Sequence, residues 1–233
     1  MNGRDIYGGR DPRELPAYSV GEAAQYLRVP AATLRSWFAG RTYPRQHGGP
    51  GSFKPVLTPA DAAGRLSFFN LVEAHVLRAL RTQHGVPIRA VRPALEHAAR
   101  ELGIPHVLLS DDLLTSAGEI FLEHYGELIN LSRSGQFAMR KVLEAHLRRV
   151  ERDDRHIPIR LYPFLTFRDE RDIRSVVIDP CVSFGKPVVV GSGIKTSVLA
   201  QRLDAGETID ELARDYGLDP ALIEDAILFE KAA

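Results

Sequence analysis

The chain gives the same local instruction near each of its ends. At Ser19–Phe38 (SVGEAAQYLRVPAATLRSWF) and at Thr208–Phe229 (TIDELARDYGLDPALIEDAILF), a hydroxyl residue precedes a glutamate by three positions. A short apolar stripe, a break and a second short helix follow. The hydroxyl and the glutamate form a capping box, in which each side chain satisfies a backbone N–H left open at the helix start. In the first segment Val20, Ala23, Ala24 and Leu27 share one helical face. Arg28-Val29-Pro30 makes the turn, because proline ends one helix and fits the first turn of the next. Leu34, Trp37 and Phe38 then face inward, and Ala32, Thr33, Arg35, Ser36 and Ala39 face outward. In the second segment Gly206 and Gly217 stand where helices stop. Two helix-turn-helix outlines therefore bracket the fold.

Charge separates the two. Residues 1–54 carry eight Lys/Arg against four Asp/Glu, residues 55–173 balance, and residues 174–233 carry six against ten, within a formal net charge of zero. A helix laid in a DNA groove needs positive charge around it to replace the counterions of the phosphates. The first segment meets that demand. Arg35 can read a guanine edge with two hydrogen bonds, while Thr33 and Ser36 suit phosphates or varied base edges. Arg28, Arg41, Arg45 and Lys54 flank them as expected phosphate contacts. The second segment presents Asp219, Glu224, Asp225 and Glu230 with Lys231 alone beside them, which opposes DNA and suits a protein contact.

Between these ends the pattern is mixed. Residues 1–17, rich in glycine, proline and charge, read as a mobile arm. Gly40–Pro59, with Gly48-Gly49-Pro50-Gly51 at its tip and Phe53–Leu57 after it, reads as a hairpin wing. Leu66, Phe69, Val72, Val76, Leu77 and Leu80 keep a helical period, Gly85-Val86-Pro87 breaks it, and Ile88–Leu102 resumes it. Leu113–Leu122 and Leu128–Leu131 read as short strands. Gln136–Arg152 reads as a long helix, a candidate dimerisation helix, with Phe137, Val142, Leu143, Leu147 and Val150 inward and Arg140, Lys141, Arg148, Arg149 and Arg152 around it. Arg152–Arg155 reads as a linker, residues 157–178 as extended, and Gly185–Ile194 (GKPVVVGSGI) as a strand between glycine turns. Three short helices follow: Lys195–Leu203, Ile209–Tyr216 and Pro220–Phe229.

Catalytic chemistry finds no footing in this pattern. Gly185-Lys186 before Gly191-Ser192-Gly193 lacks the order of a phosphate loop. The eight histidines form no H-x-x-x-H pair, and Cys181 has no base beside it and reads as a small semi-buried residue. Asp111-Asp112 and Asp153-Asp154 read as solubilising loop acids. No catalytic residue, metal ligand or cofactor is expected. One cysteine excludes an internal disulfide, no apolar run approaches the roughly 20 residues of a membrane helix, and residues 1–16 lack the apolar core of a secretory signal. A cytoplasmic location is the simplest expectation.

Two resemblances follow from these residues. Tyr18–Leu57, and more loosely the helices to Leu102, resemble a MerR-type winged helix-turn-helix. Val176–Phe229 is similar to a small domain of unknown function found in prokaryotic antitoxins, through the Gly185-Lys186-Pro187 start, the Gly191 turn and the Tyr216-Gly217-Leu218 turn. Together they resemble a mycobacterial VapB-type antitoxin over about two-thirds of the chain. The resemblance implies a PIN-like, metal-dependent ribonuclease toxin as partner, operator DNA as a second partner, repression of the shared operon, and a homodimer. Many such antitoxins end in a disordered arginine-bearing tail, whereas this chain ends Phe229-Glu230-Lys231-Ala232-Ala233. Toxin contact therefore falls either to the folded acidic surface (Asp219, Glu224, Asp225) or to the internal basic segment 168–174 with Arg168, Arg171 and Arg174.

The expected fold is α+β and mostly α, divided into an arm (1–17), a winged DNA-binding domain (18–109), a hairpin with a connecting helix (110–155) and a toxin-binding domain (156–233). A MerR-like regulator responding to a small-molecule effector is the alternative. One cysteine argues against metal sensing in that alternative.

Overall fold

The computed structural model describes residues 7–43, 49, 51–82, 91–103, 106–110, 132–166 and 173–232. The strands expected between Leu113 and Leu131, the Gly85-Val86-Pro87 break, Asp111-Asp112, and Arg45, Arg168 and Arg171 lie outside these residues. The fold is mostly helical α+β. Helices α1 (Val20–Leu27) and α2 (Ala31–Ala39) lead into strands β1 (Arg41–Tyr43) and β2 (Gly51–Phe53), then α3 (Phe68–Thr82) and α4 (Val91–Leu102). Helix α5 (Arg133–Leu147) precedes β3 (Val150–Arg152), β4 (Pro158–Leu161), β5 (Val176–Val177) and β6 (Val188–Val189). Helices α6 (Thr196–Asp204), α7 (Ile209–Tyr216) and α8 (Pro220–Lys231) close the chain.

Both capping boxes form: Ser19 and Glu22 cap α1, and Thr208 and Glu211 cap α7. Gly217 ends α7 in the left-handed region. Among the described residues the strands form three antiparallel pairs, β1–β2, β3–β4 and β5–β6. Backbone hydrogen bonds in both directions between Leu161 and Ile178 (3.0 and 2.8 Å) join the second pair to the third.

The long helix expected to run to Arg152 stops at Leu147. Val150 and Arg152 become strand β3, with Val150 opposite Leu161. Arg152–Arg155 is therefore a hairpin turn rather than a linker. The Asp153 carboxylate accepts the N–H groups of Arg155 and Ile157 (both 3.0 Å), and His156 takes a left-handed φ of 63°. Phe137 is 60% exposed on α5, while Met139, Leu143 and Leu147 face inward. Arg149, expected on the surface, is buried.

Two cores organise the described residues. The larger gathers Tyr18, Leu27, Leu34 and Trp37 with Leu66, Leu71 and Leu77 of the α3 region, then Leu143, Leu147 and Leu161, and finally Val176, Ile178 and Phe229. Each fully buried leucine contributes about 2 kcal/mol by leaving water. The smaller core joins Val189, Leu199, Leu212, Ile223, Ala226 and Ile227. Helix α8 serves both, with Ile223 and Ile227 in the small core and Phe229 in the large one.

Buried Phe164 lies among cations and imidazoles. The Arg149 guanidinium sits 4.1 Å from its ring centroid and that of Arg78 4.8 Å. Arg149 Nη1 donates to the carbonyls of Tyr162, Pro163 and Ile173 (3.3, 3.1 and 3.1 Å). His75 stacks on the same ring at 5.6 Å and His146 lies 4.8 Å from it. Carbonyl acceptors and π faces are what make such buried charge tolerable.

Candidate nucleic-acid interface

The interface is built on how α1, α2 and the wing are held. Ser19 Oγ accepts the Glu22 N–H, and Glu22 Oε2 accepts the Ser19 N–H (3.2 and 2.9 Å). Ala23, Ala24 and Leu27 bury the inner face of α1, and Leu34, Trp37 and Phe38 that of α2. The carbonyl of Trp37 accepts the N–H groups of Val56 and Leu57 (2.8 and 3.0 Å), which fixes the strand leaving the wing against α2. Gly40 has φ 71°, and a Cβ there would overlap the Phe53 carbonyl, so only glycine lets the chain turn from α2 into β1.

The wing forms, but its register runs Arg41–Phe53, Thr42–Ser52 and Tyr43–Gly51. Gly51, expected at the tip, is thus a strand residue. Arg35 on α2, Arg41 on β1 and Lys54 just after β2 are exposed, and among the described residues none of the three has a carboxylate partner. Thr33 is half-buried. Ser36 donates its hydroxyl to the Thr33 carbonyl (2.7 Å), which leaves its oxygen as an acceptor. The helix start at Pro30 has no side-chain cap, so its first N–H groups stay open to an anion.

Arg28 does not join this face, a correction to the phosphate role expected of it. It is 2% exposed, and its left-handed backbone (φ 53°) turns the side chain inward. Nε donates to the Leu165 carbonyl (3.1 Å), Nη1 to Gln25 (3.0 Å) and Nη2 to Phe229, and the guanidinium lies 4.4 Å from the Phe229 ring centroid. Desolvation lowers its pKa to about 10, partly offset by Glu230, so it stays charged at neutral pH.

The start of the GKPVVVGSGI stretch is turned inward as well. The Tyr18 hydroxyl donates to the Gly185 carbonyl (3.0 Å). Lys186 pairs with the Glu22 carboxylate of the first capping box. Burial works against ionisation of Glu22, but hydrogen bonds from Lys186 and Ser19 outweigh it and hold that carboxyl below its ordinary range. The sequence traces of this junction are a tyrosine just before the Ser19 cap and the glycine of the Gly185-Lys186-Pro187 start, and nothing in the sequence pairs them.

On the acidic end, Glu224 is exposed, and Asp219 is exposed and caps α8 by accepting the Ala221 N–H (2.8 Å). Asp225 is half-buried and accepts the Ser175 hydroxyl. Arg174 lies 5.5 Å from the Tyr162 ring centroid. Cys181, expected semi-buried, is exposed, and desolvation followed by the nearby Asp179 pushes its thiol pKa up. Among the described residues no group of three or more His, Cys, Asp or Glu could hold a metal, and no helix is long and apolar enough to cross a membrane.

Comparison with known proteins matches two segments of the chain to families. Residues 16–95 match a family described as "Putative DNA-binding HTH domain", and residues 176–229 match one described as "Protein of unknown function (DUF433)". The chain is 33% identical to "Putative antitoxin VapB45" of Mycobacterium tuberculosis, over 92% of this chain and 93% of that protein. It is 28% identical to the uncharacterized protein Rv2308 of the same organism, over 92% and 90%. The crystal structure of Rv2018 from Mycobacterium tuberculosis superposes with a TM-score of 0.65 at 29% identity, covering 91% of this chain and 97% of that one. The chain belongs to the VapB45 antitoxin family and carries a DNA-binding helix-turn-helix domain at its N-terminus.

Proposed function

We propose that the chain is an antitoxin and autorepressor that reads operator DNA with α2 and the β1–β2 wing. Within residues 18–109, Arg35, Thr33 and Ser36 meet base edges, and Arg41, Arg45 and Lys54 neutralise phosphates. Residues 110–155 connect this unit to residues 156–233, whose exposed carboxylates meet a PIN-like ribonuclease toxin. A homodimer on two half-sites is the working form. The observation that carries the DNA reading is the set Arg35, Arg41 and Lys54, exposed on the open side of α2 and the wing with no carboxylate to neutralise it.

Gel-shift titration against the duplex upstream of the operon tests this. Arg35→Ala is expected to weaken binding by about tenfold to a hundredfold, the worth of a bidentate base contact. Arg41→Ala is expected to lower the slope of log affinity against log salt by about one. Unchanged affinity and slope in both would remove this face from DNA. For the toxin, co-expression of the full chain with the neighbouring gene product is informative. Glu224→Lys is expected to reduce recovery of the complex, and undiminished recovery would place the contact elsewhere.

A small-molecule-responsive regulator is the second reading. A cavity of about 530 Å³ between the wing base, α3 and α4, lined by Leu57, Phe69, Asn70, Glu73, Leu95 and Val107, favours it. Some of the polar groups there are already engaged, since Glu73 accepts from Asn70 (3.0 Å) and lies 3.6 Å from His106.

A further inference from the structure

We propose that the carboxyl end of α8 positions the DNA-facing helix-turn-helix through Arg28, so that the C-terminal unit is a working part of the DNA-reading device. The proposal rests on the DNA reading above and adds a positioning residue to it.

The turn between α1 and α2 sets the angle at which α2 is presented. Its left-handed residue is an arginine, where glycine is the usual occupant. An L-residue holds that conformation only where its surroundings over-determine it. Three elements do so here. Arg78 of α3 donates from Nη1 to the Leu27 carbonyl (2.9 Å) on one flank. The Leu165 carbonyl takes Nε of Arg28. The end of α8 supplies both the Phe229 carbonyl and the Phe229 ring.

The same ring stacks on Tyr26 of α1 (centroids 6.3 Å apart, planes at 28°), and Gln25 Nε2 donates to Glu230 (3.3 Å). Glu230 also accepts the Thr196 hydroxyl, which ties the end of α8 to α6. Phe229 belongs to the large core, whereas Ile223, Ala226 and Ile227 of the same helix belong to the small one. The last turn of α8 is therefore where the two cores are joined. Arg28 is buried, so no solvent can replace the Phe229 carbonyl if α8 shifts. Losing that acceptor leaves a buried cation under-satisfied, and the turn has to move with it. Helix α2 starts three residues later, at Ala31.

The test uses the full chain. Amide hydrogen exchange is followed in wild type, Arg28→Gly and Phe229→Ala, with Phe229→Leu as the folded substitute if Phe229→Ala does not fold. Exchange in residues 31–39 is expected to speed up in each variant while residues 68–79 keep their protection. Binding to the duplex upstream of the operon is expected to weaken about tenfold, a typical coupling between sites. Its salt slope should stay constant, because no phosphate contact is lost. Unchanged exchange in residues 31–39 overturns the proposal whatever the DNA result. A salt slope reduced by one in Arg28→Gly also overturns it, by making Arg28 a phosphate contact. If exchange responds but wild type binds no such duplex, the coupling stands and the DNA reading fails.

Discussion

Replacing Gly185 by alanine is expected to destabilise the protein by about 3 kcal/mol, read as a lower urea midpoint at unchanged m-value. Gly185 has φ 74°, and a left-handed alanine costs about 1–2 kcal/mol on backbone grounds. The rest comes from the neighbour. A Cβ at Gly185 would overlap the buried Tyr18 hydroxyl, which must then leave the Gly185 carbonyl it donates to. Losing that buried hydrogen bond adds about 1–3 kcal/mol. Gly191 provides the control: its φ is 77°, but nothing lies within 4 Å of its Cβ position, so Gly191→Ala is expected to cost about 1 kcal/mol. Tyr18→Phe should recover part of the Gly185→Ala loss by opening space. Equal costs at Gly185 and Gly191 would show that the Tyr18 junction carries little energy.

Mild acid is expected to remove about 2 kcal/mol of stability between pH 6.5 and 5.5, before carboxylates begin to titrate. His75 and His146 are buried beside each other, with ring centroids 5.0 Å apart. Desolvation holds His75 well below its ordinary range, with His146 and Arg78 adding to the effect. Desolvation lowers His146 to about 3, against a partial opposing effect of its hydrogen bond to the Val142 carbonyl, and Arg78 and Arg149 push it the same way as burial. Both rings therefore stay neutral in the fold, while the unfolded chain takes up protons near pH 6.5. The stability they confer is complete above that pH and is lost as pH falls, with a limiting slope of about 2.7 kcal/mol per pH unit for two histidines. Denaturant titrations at pH 7, 6.5 and 5.5 check this, and His146→Leu should halve the slope. A halved slope in the wild type would mean that one ring takes up a proton in the native state, and a flat profile that both do.

The junctions explain why some of this was legible in the sequence and some was not. Helix starts were legible because a capping box is local: Ser19 with Glu22 and Thr208 with Glu211 need only three residues of separation. The inward faces of α1 and α2 were legible because period 3.6 is local too. The end of α5 was not, since Val150 keeps helical spacing and only its pairing with Leu161 makes it a strand. Phe137 looked like core by spacing alone, and α5 turns it outward.

Arginine was the hardest residue to place. Arg28, Arg35, Arg78 and Arg149 are chemically alike, yet one stands in solvent and three lie in the core. Local sequence predicts solvent for all four, because burying a guanidinium is costly unless acceptors already surround it. Those acceptors are carbonyls of residues as distant as Phe229 from Arg28, a separation of 201 positions.

The sequence by itself determined the two capped helix pairs, their opposite charge and the mostly helical class, since each depends on neighbours a few residues apart. Only the tertiary structure decided that Arg28 is an internal strut rather than a phosphate contact, and that Gly185 and Lys186 meet Tyr18 and Glu22 at the start of α1. The physical reason is the same in both cases. A buried charge or hydroxyl goes where desolvation is repaid, and the groups that repay it are brought together only when the chain has folded.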